Sequence, residues 1–237
     1  LRQPSGKTDK TERERTGKMK KNGKKWMISG TTLMAAFAIW TWLIQTVDVQ
    51  PLGQNGTEIG FAALNCWFHR ITGVHMAIYA ITDWLGLVPV AVCLVFGGVG
   101  FSQMIRRRSL IKVDRDILFL GVYYGIVIFG YLIFEMIPIN YRPILIEGIL
   151  EASYPSSTTL LVLSVMPTLV FQTGRRLKNV TGKRVTVILT TTFCAFMVIG
   201  RLVAGVHWLT DIVGAVLLSF GLYSIYRAAV IRWCKEA

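Results

Sequence analysis

"NYRPILIEGILEASYPSSTTL", residues 140–160, is a polar, kinked stretch inside a chain that is otherwise mostly oily. It holds an Arg-Pro pair, two carboxylates and a Pro-Ser-Ser-Thr-Thr run. Apolar segments flank it on both sides. Irregular backbone beside a bilayer is tolerated only where water or protein satisfies its polar groups. Its reading depends on what surrounds it.

The 237 residues are 53% hydrophobic and 16% charged, yet the formal net charge is +13. A soluble basic domain spreads its lysines over a wet surface. Here they are clustered, and between the clusters lie apolar runs of about the 20 residues that cross a bilayer. Nucleic-acid binding, the usual inference from a basic chain, ranks below a membrane reading and is not expected.

Five apolar segments stand out, at 27–47, 84–105, 117–138, 156–172 and 185–200, and a sixth at 208–226 follows the break "RLVAGVH". Residues 59–83 are apolar but interrupted by Asn65, His69, Arg70, Thr72 and His75. This pattern predicts an interfacial or re-entrant helix rather than a seventh span. The fold class is therefore all-α: a polytopic six-helix transmembrane bundle with an interfacial helix between the first two spans.

Charge supports the count. Of the 26 Lys and Arg, ten precede residue 26, five lie in 106–115, five in 175–184 and three in 227–235 at the C-terminal end. Six spans put all of these on one side. By the positive-inside rule that side is cytoplasmic, which predicts a multi-pass protein of the cell membrane with both termini inside. Arg70, Arg142 and Arg201 remain outside, and each needs a local reason. The domain reading is a disordered basic tail over 1–25, a membrane domain over 26–230 and a cytoplasmic tail over 231–237. The first apolar segment is long for a signal peptide and lacks a clear cleavage site, so it is read as an uncleaved anchor. Met19 opens "MKKNGKKW", and translation is expected to start there, with residues 1–18 lying upstream; an intact mass would decide it. The four cysteines fall outside, inside and within spans, giving neither a disulfide framework nor a metal spacing.

Two clusters carry chemistry. In "GRLVAGVHWLTDIVGA", residues 200–215, Asp211 follows His207 by four residues, placing both on one side of a helix. A carboxylate there accepts from one imidazole nitrogen and leaves the other free to attack. Arg201 brings a fork of donors suited to phosphate oxygens. The bland alternative is a His-Asp helix cap with a snorkelling arginine, but three ionisable groups converging at a membrane edge point to function. With six spans the opening stretch falls on the same outer face. It adds Arg142, and at Pro155-Ser156-Ser157-Thr158 the start of a helix with a hydroxyl and free amides, an anion site. An ordinary N-cap is the simpler reading of those serines taken alone.

The order and spacing of these residues resemble the type 2 phosphatidic acid phosphatase superfamily of integral membrane lipid phosphatases. Its motifs run K-x6-R-P, P-S-G-H and S-R-x5-H-x3-D. Here the third is matched by Arg201, His207 and Asp211, the end of the first by Arg142-Pro143, and the start of the second by Pro155-Ser156. The resemblance implies hydrolysis of a lipid phosphate or diphosphate in the bilayer, without metal or other cofactor. His207 would be the nucleophile, forming a phosphohistidine, with Asp211 as its partner. Arg142, Ser156, the Ser157 amide and Arg201 would hold the phosphoryl oxygens. The chain departs from the pattern at three places: Glu135 stands for the lysine, Gly200 for the serine before the arginine, and Thr158 for the second-motif histidine, the family's general acid.

In "NCWFHRITGVHMAIY", residues 65–79, the sequence offers replacements: Arg70 for the lost cation, and His75 or His69 for the lost acid. Head-group anchoring is the plainer role for each. Two further functional classes stay open at this point. A catalytically weak relative would bind or move lipid phosphates without hydrolysing them, and a basic membrane scaffold would explain the lysines but not the three external arginines.

Overall fold

The computed structural model describes residues 5–234. Eight α-helices follow in order among them: α1 Ser5–Ile44, α2 Ala62–Thr72, α3 Met76–Leu85, α4 Leu87–Arg107, α5 Arg115–Met136, α6 Ser157–Arg176, α7 Val180–Val203 and α8 Leu209–Trp233. Six stretches are long and apolar enough to span a membrane: Lys21–Ile44, Met76–Arg107, Arg115–Met136, Ser157–Arg176, Val180–Val203 and Leu209–Trp233. The protein is a multi-pass helical membrane protein, as its hydropathy predicts.

Two boundaries differ from the sequence reading. The second span starts at Met76 rather than 84, because α3 runs into α4 with only Gly86 between them. The interfacial element is thus α2 alone. The polar residues from Asn65 to His75 made this stretch look interrupted, but all of them precede α3, whose one acid, Asp83, has a side chain 58% exposed. The second difference concerns the N-terminal tail, read as disordered. Its described part, from Ser5, is helical and continuous with the first span. Lys, Arg and Glu are good helix formers, and a membrane helix supplies the nucleus from which they propagate.

The bundle is built around α6 and α8, the two spans with more than half of their apolar windows buried. The remaining spans bury far less and present Leu, Ile, Val and Phe outward, as a lipid-facing surface requires. Helix association in lipid rests on close packing at small residues. Helix α1 meets α8 in this way: a Cβ on Gly30 would fall 2.6 Å from Ile225 Cγ1, and one on Gly221 2.9 Å from Met34 Sδ. The Tyr154 ring lies against Gly214 of α8, stacks on Phe37 of α1 and donates or accepts a 2.7 Å hydrogen bond with Thr41. One aromatic side chain therefore ties the loop before α6 to two spans.

The chain ends of α4 to α8 sort into two faces. One end gathers Arg107, Arg115, Arg175 and Arg176, where Asp116 accepts a 2.7 Å bond from Arg176. The other end gathers the loops 45–61, 137–156 and 204–208, and the motif residues lie in the last two of these or in the helix turns next to them.

Candidate active site

His207 lies in the short turn between α7 and α8. Gly205 makes that turn, with φ of +70°. Asp211 occupies the third position of α8, and its Oδ2 accepts the backbone N–H of Trp208 at 2.9 Å. The sequence reading put both residues on one helical face with a hydrogen bond between them. The structure corrects this. His207 precedes the helix, and its Nδ1 lies 3.9 Å from Asp211 Oδ2, beyond hydrogen-bond range. The carboxylate is spent on the helix start instead, and its Oδ1 accepts from Asn140 at 3.2 Å. The bond to the imidazole comes from elsewhere: the Ser153 carbonyl oxygen lies 3.1 Å from Nδ1. A carbonyl only accepts, so Nδ1 carries the proton and Nε2 keeps its lone pair.

Nε2 faces Arg201, whose Nη2 donates to it over 3.3 Å. His207 is 3% exposed and Arg201 1%. Burial, then the positive charges of Arg142 and Arg201, hold the His207 pKa well below its ordinary value. The ring is neutral at physiological pH, the state a nucleophile requires.

Arg142 and Arg201 come from segments 59 residues apart and converge on Tyr79 of α3. Its ring centre lies 6.0 Å from the Arg142 guanidinium carbon and 5.0 Å from that of Arg201. Each arginine has one carboxylate nearby. Arg142 Nε is 2.9 Å from Glu151 and Arg201 Nη1 3.6 Å from Asp83, neither with hydrogen-bond geometry. Arg142 Nη1 and both Nε and Nη1 of Arg201 are buried without a hydrogen-bond partner. Buried unsatisfied donors cost free energy, more when charged. Two like charges this close cost more still. Such an arrangement is relieved by a bound anion.

A cavity of about 200 Å³ opens beside Arg142, lined also by Ser157, Ser153, Glu135 and Glu151. Ser153, whose carbonyl accepts from the imidazole, lines it and links it to His207, which does not line it directly. Ser157 sits at the first turn of α6, as the anion-site reading expects. Ser156 differs from its expected role. Its N–H donates to the Asp211 carbonyl at 3.2 Å and its hydroxyl to Thr159 at 3.1 Å, so it joins α6 to α8.

The segment with His69, Arg70 and His75 does pack on the turn that carries His207. The His75 N–H donates to the Ala204 carbonyl, and His69 Nε2 bonds the Gly205 carbonyl at 3.1 Å while its ring packs on Trp208. The expected replacement of lost groups has no counterpart in these contacts. His75 Nε2 is held by its own Thr72 carbonyl at 2.9 Å, and Arg70 is exposed. The His69 side chain and the His75 backbone N–H support the turn. Asn65 adds to that support, donating to Thr210 at 2.9 Å and clamping α2 to the start of α8.

Sequence reasoning missed Ser153, Asn140, Tyr79 and Asn65. Ser153 acts through its backbone and so leaves no side-chain signal. Tyr79 offered a faint one, as the aromatic residue one turn after His75.

The sequence model of the PAP2 superfamily matches residues 135–233. A crystal structure described as the first transmembrane PAP2 type phosphatidylglycerolphosphate phosphatase from Bacillus subtilis superposes with a TM-score of 0.58 at 17% identity, covering 88% of this chain and 99% of that one. No curated protein sequence matches. Residues 135–233 span Arg142, Arg201, His207 and Asp211 together, so the stretch that carries the site is the stretch that is similar to the PAP2 superfamily.

Proposed function

We propose that the protein hydrolyses a lipid phosphate by way of a phosphohistidine on His207. The observation that carries this reading is a pair of arginines, each more than nine-tenths buried and holding orphaned N–H donors, around a neutral imidazole with its Nε2 lone pair free of a proton. A phosphoryl group entering beside Arg142 takes up those donors and draws the Arg201 fork off Nε2. Nε2 then forms the N–P bond as the P–O bond to the lipid breaks, and the lipid leaves as an alkoxide that takes its proton from solvent water. The imidazolium that develops keeps its Nδ1–H on the Ser153 carbonyl, with the Asp211 carboxylate 3.9 Å away to stabilise its charge. Water next breaks the N–P bond, returning neutral His207 and inorganic phosphate. Positioning and charge neutralisation are most of what phosphoryl transfer needs, and the arginines supply the positive charge.

The test panel holds phosphatidylglycerophosphate, the lipid in the description of the similar crystal structure, together with isoprenyl diphosphate and phosphatidic acid. The experiment is phosphate release by the detergent-purified protein, with and without chelator. We expect release that survives chelation, disappears in His207→Ala, and passes through an acid-labile phosphoenzyme trapped on brief incubation. Release by His207→Ala at the wild-type rate overturns the reading. A second reading, binding or transfer of lipid phosphates without hydrolysis, is favoured by Thr158, which cannot protonate a leaving alkoxide near neutral pH. It predicts lipid phosphate binding with no phosphoenzyme.

The clustering of 23 basic residues in the sequence segments that six spans put on one side supports a site on the extracytoplasmic side. A reporter after Lys178 should read as cytoplasmic and one near Glu147 as external; the reverse puts the site inside.

A further inference from the structure

The cavity beside Arg142 is not uniformly cationic. Glu135 and Glu151 line it with Arg142 and Ser157. Glu151 is committed to Arg142 at 2.9 Å. Glu135 is exposed to the cavity and, among the described residues, pairs with no cation. Its position is also unfavourable for a carboxylate. It lies in the last turn of α5, where the helix end is negative and a cation is preferred. Nothing in the fold repays that placement. A ligand would.

Two independent features of one cavity therefore call for opposite charges. Arg142, 7% exposed and with Nη1 unpartnered, calls for an anion. The unpaired carboxylate calls for a cation within the reach of the same 200 Å³ space. We infer that Glu135 makes this site selective for a lipid phosphomonoester bearing a protonated amine close to its phosphate, and that it disfavours a diphosphate. The phosphate occupies the arginine side and the ammonium the Glu135 side. A second phosphate in place of the amine meets Glu135 and Glu151 and is repelled. An ammonium is chosen over a divalent ion because only one carboxylate is uncommitted, and oxygen-ligated divalent ions take a fuller set of ligands.

This inference rests on the phosphatase reading for its consequence but not for its test, which is binding. The probes are 2-aminododecylphosphonate, whose C–P bond resists hydrolysis, its N-acetyl derivative, and dodecyl methylenebisphosphonate. Dissociation constants are measured on the wild-type protein, Glu135→Gln and Glu135→Lys in detergent, with folding checked by thermal unfolding. The wild type should bind the free amine at least tenfold more tightly than the N-acetyl probe or the bisphosphonate. Glu135→Gln should bring amine and N-acetyl probes within about threefold of each other, and Glu135→Lys should make the bisphosphonate the tightest of the three. Equal wild-type binding of amine and N-acetyl probes overturns the proposal. So does a preference that persists in Glu135→Gln. If magnesium tightens the N-acetyl probe to the level of the amine, the cation is a metal and the amine proposal falls. Phosphate release from the corresponding ester is scored separately, so a protein that selects the amine but never hydrolyses refutes only the phosphatase reading.

Discussion

Asp211→Asn separates what the carboxylate does for the helix from what it does for His207. In the wild type Oδ2 caps the Trp208 N–H at 2.9 Å and Oδ1 accepts from Asn140 at 3.2 Å. An asparagine keeps the cap through its own Oδ1 but turns an NH2 toward the Asn140 NH2, so one bond is lost and the other loses its charge assistance. That costs about 1–3 kcal/mol of stability. The charge effect on the reaction is separate. Unit charges 3.9 Å apart interact by about 4 kcal/mol at an effective dielectric of about 20. With the imidazolium half developed in the transition state, about 2 kcal/mol is lost, or about 30-fold in rate. The double replacement Asn140→Asp with Asp211→Asn keeps the Trp208 N–H cap and remakes the 140–211 hydrogen bond with its polarity reversed, but moves the charge away from His207. We expect it to recover thermal stability while the rate stays well below wild type. The assays are thermal unfolding in detergent and steady-state phosphate release. A wild-type rate in Asp211→Asn, or full recovery of rate in the swap, refutes electrostatic support through 3.9 Å.

The remaining predictions address the other supports of the site. Because the folded His207 pKa is depressed, the nucleophile stays neutral as pH falls through about 6.5, the free histidine value, and kcat/KM should show no loss near that pH from this group. Arg142→Gln removes one of the depressing charges, so its acid limb should move to higher pH. Over the same range the unfolded chain gains a proton that folded His207 refuses, so melting temperature should fall as pH drops below about 6.5; a melting temperature unchanged down to pH 5 would contradict the buried neutral ring. Gly205→Ala should cost about 2 kcal/mol or more and most activity, since φ is +70° and a Cβ would strike the Gly73 carbonyl oxygen. Full activity there would show that the turn does not depend on its contact with the α2–α3 connection. Tyr79→Leu should weaken phosphate release by about 5- to 30-fold while Tyr79→Phe retains it, because the ring face and not the hydroxyl meets the two guanidinium groups.

What the sequence discloses follows from which interactions are local. Hydropathy finds the six spans because each needs only its own residues to be apolar. The relation of Arg201, His207 and Asp211 is visible because they lie within eleven residues. Even so, i, i+4 spacing implied a bond that the structure lacks, since a capping carboxylate points back at the helix start and not along its side. The second span was placed eight residues late because the polar residues from Asn65 to His75 were read as interrupting everything up to residue 83, whereas they end just before Met76. Ser153 holds the nucleophile through a carbonyl every residue possesses, and Tyr79 matters only because two distant arginines converge on it. Neither leaves a pattern in one sequence. The histidines of α2 and the following turn were noticed for the right reason, their polarity at a membrane edge. Their role as supports of the 204–208 turn is decided by contacts 130 residues away in the chain.

The parts of the site also depend on one another in a definite order. His207 is oriented by Ser153, and Ser153 precedes Tyr154, whose ring is fixed by Phe37, Thr41 and Gly214. Asp211 is oriented by Asn140, and the Ser153 N–H donates to the Asn140 carbonyl. The Asp211 carbonyl in turn receives the Ser156 N–H that starts α6. The loop 137–156 and the head of α8 therefore form a closed circuit, and two buried arginines beside it repel each other whenever no anion is bound. The packing of α1, α6 and α8 must outweigh that repulsion for the empty site to persist. An anion that fits should then raise the stability of the whole bundle and not only order a loop, because the strain it relieves is held by the same contacts that hold the spans together.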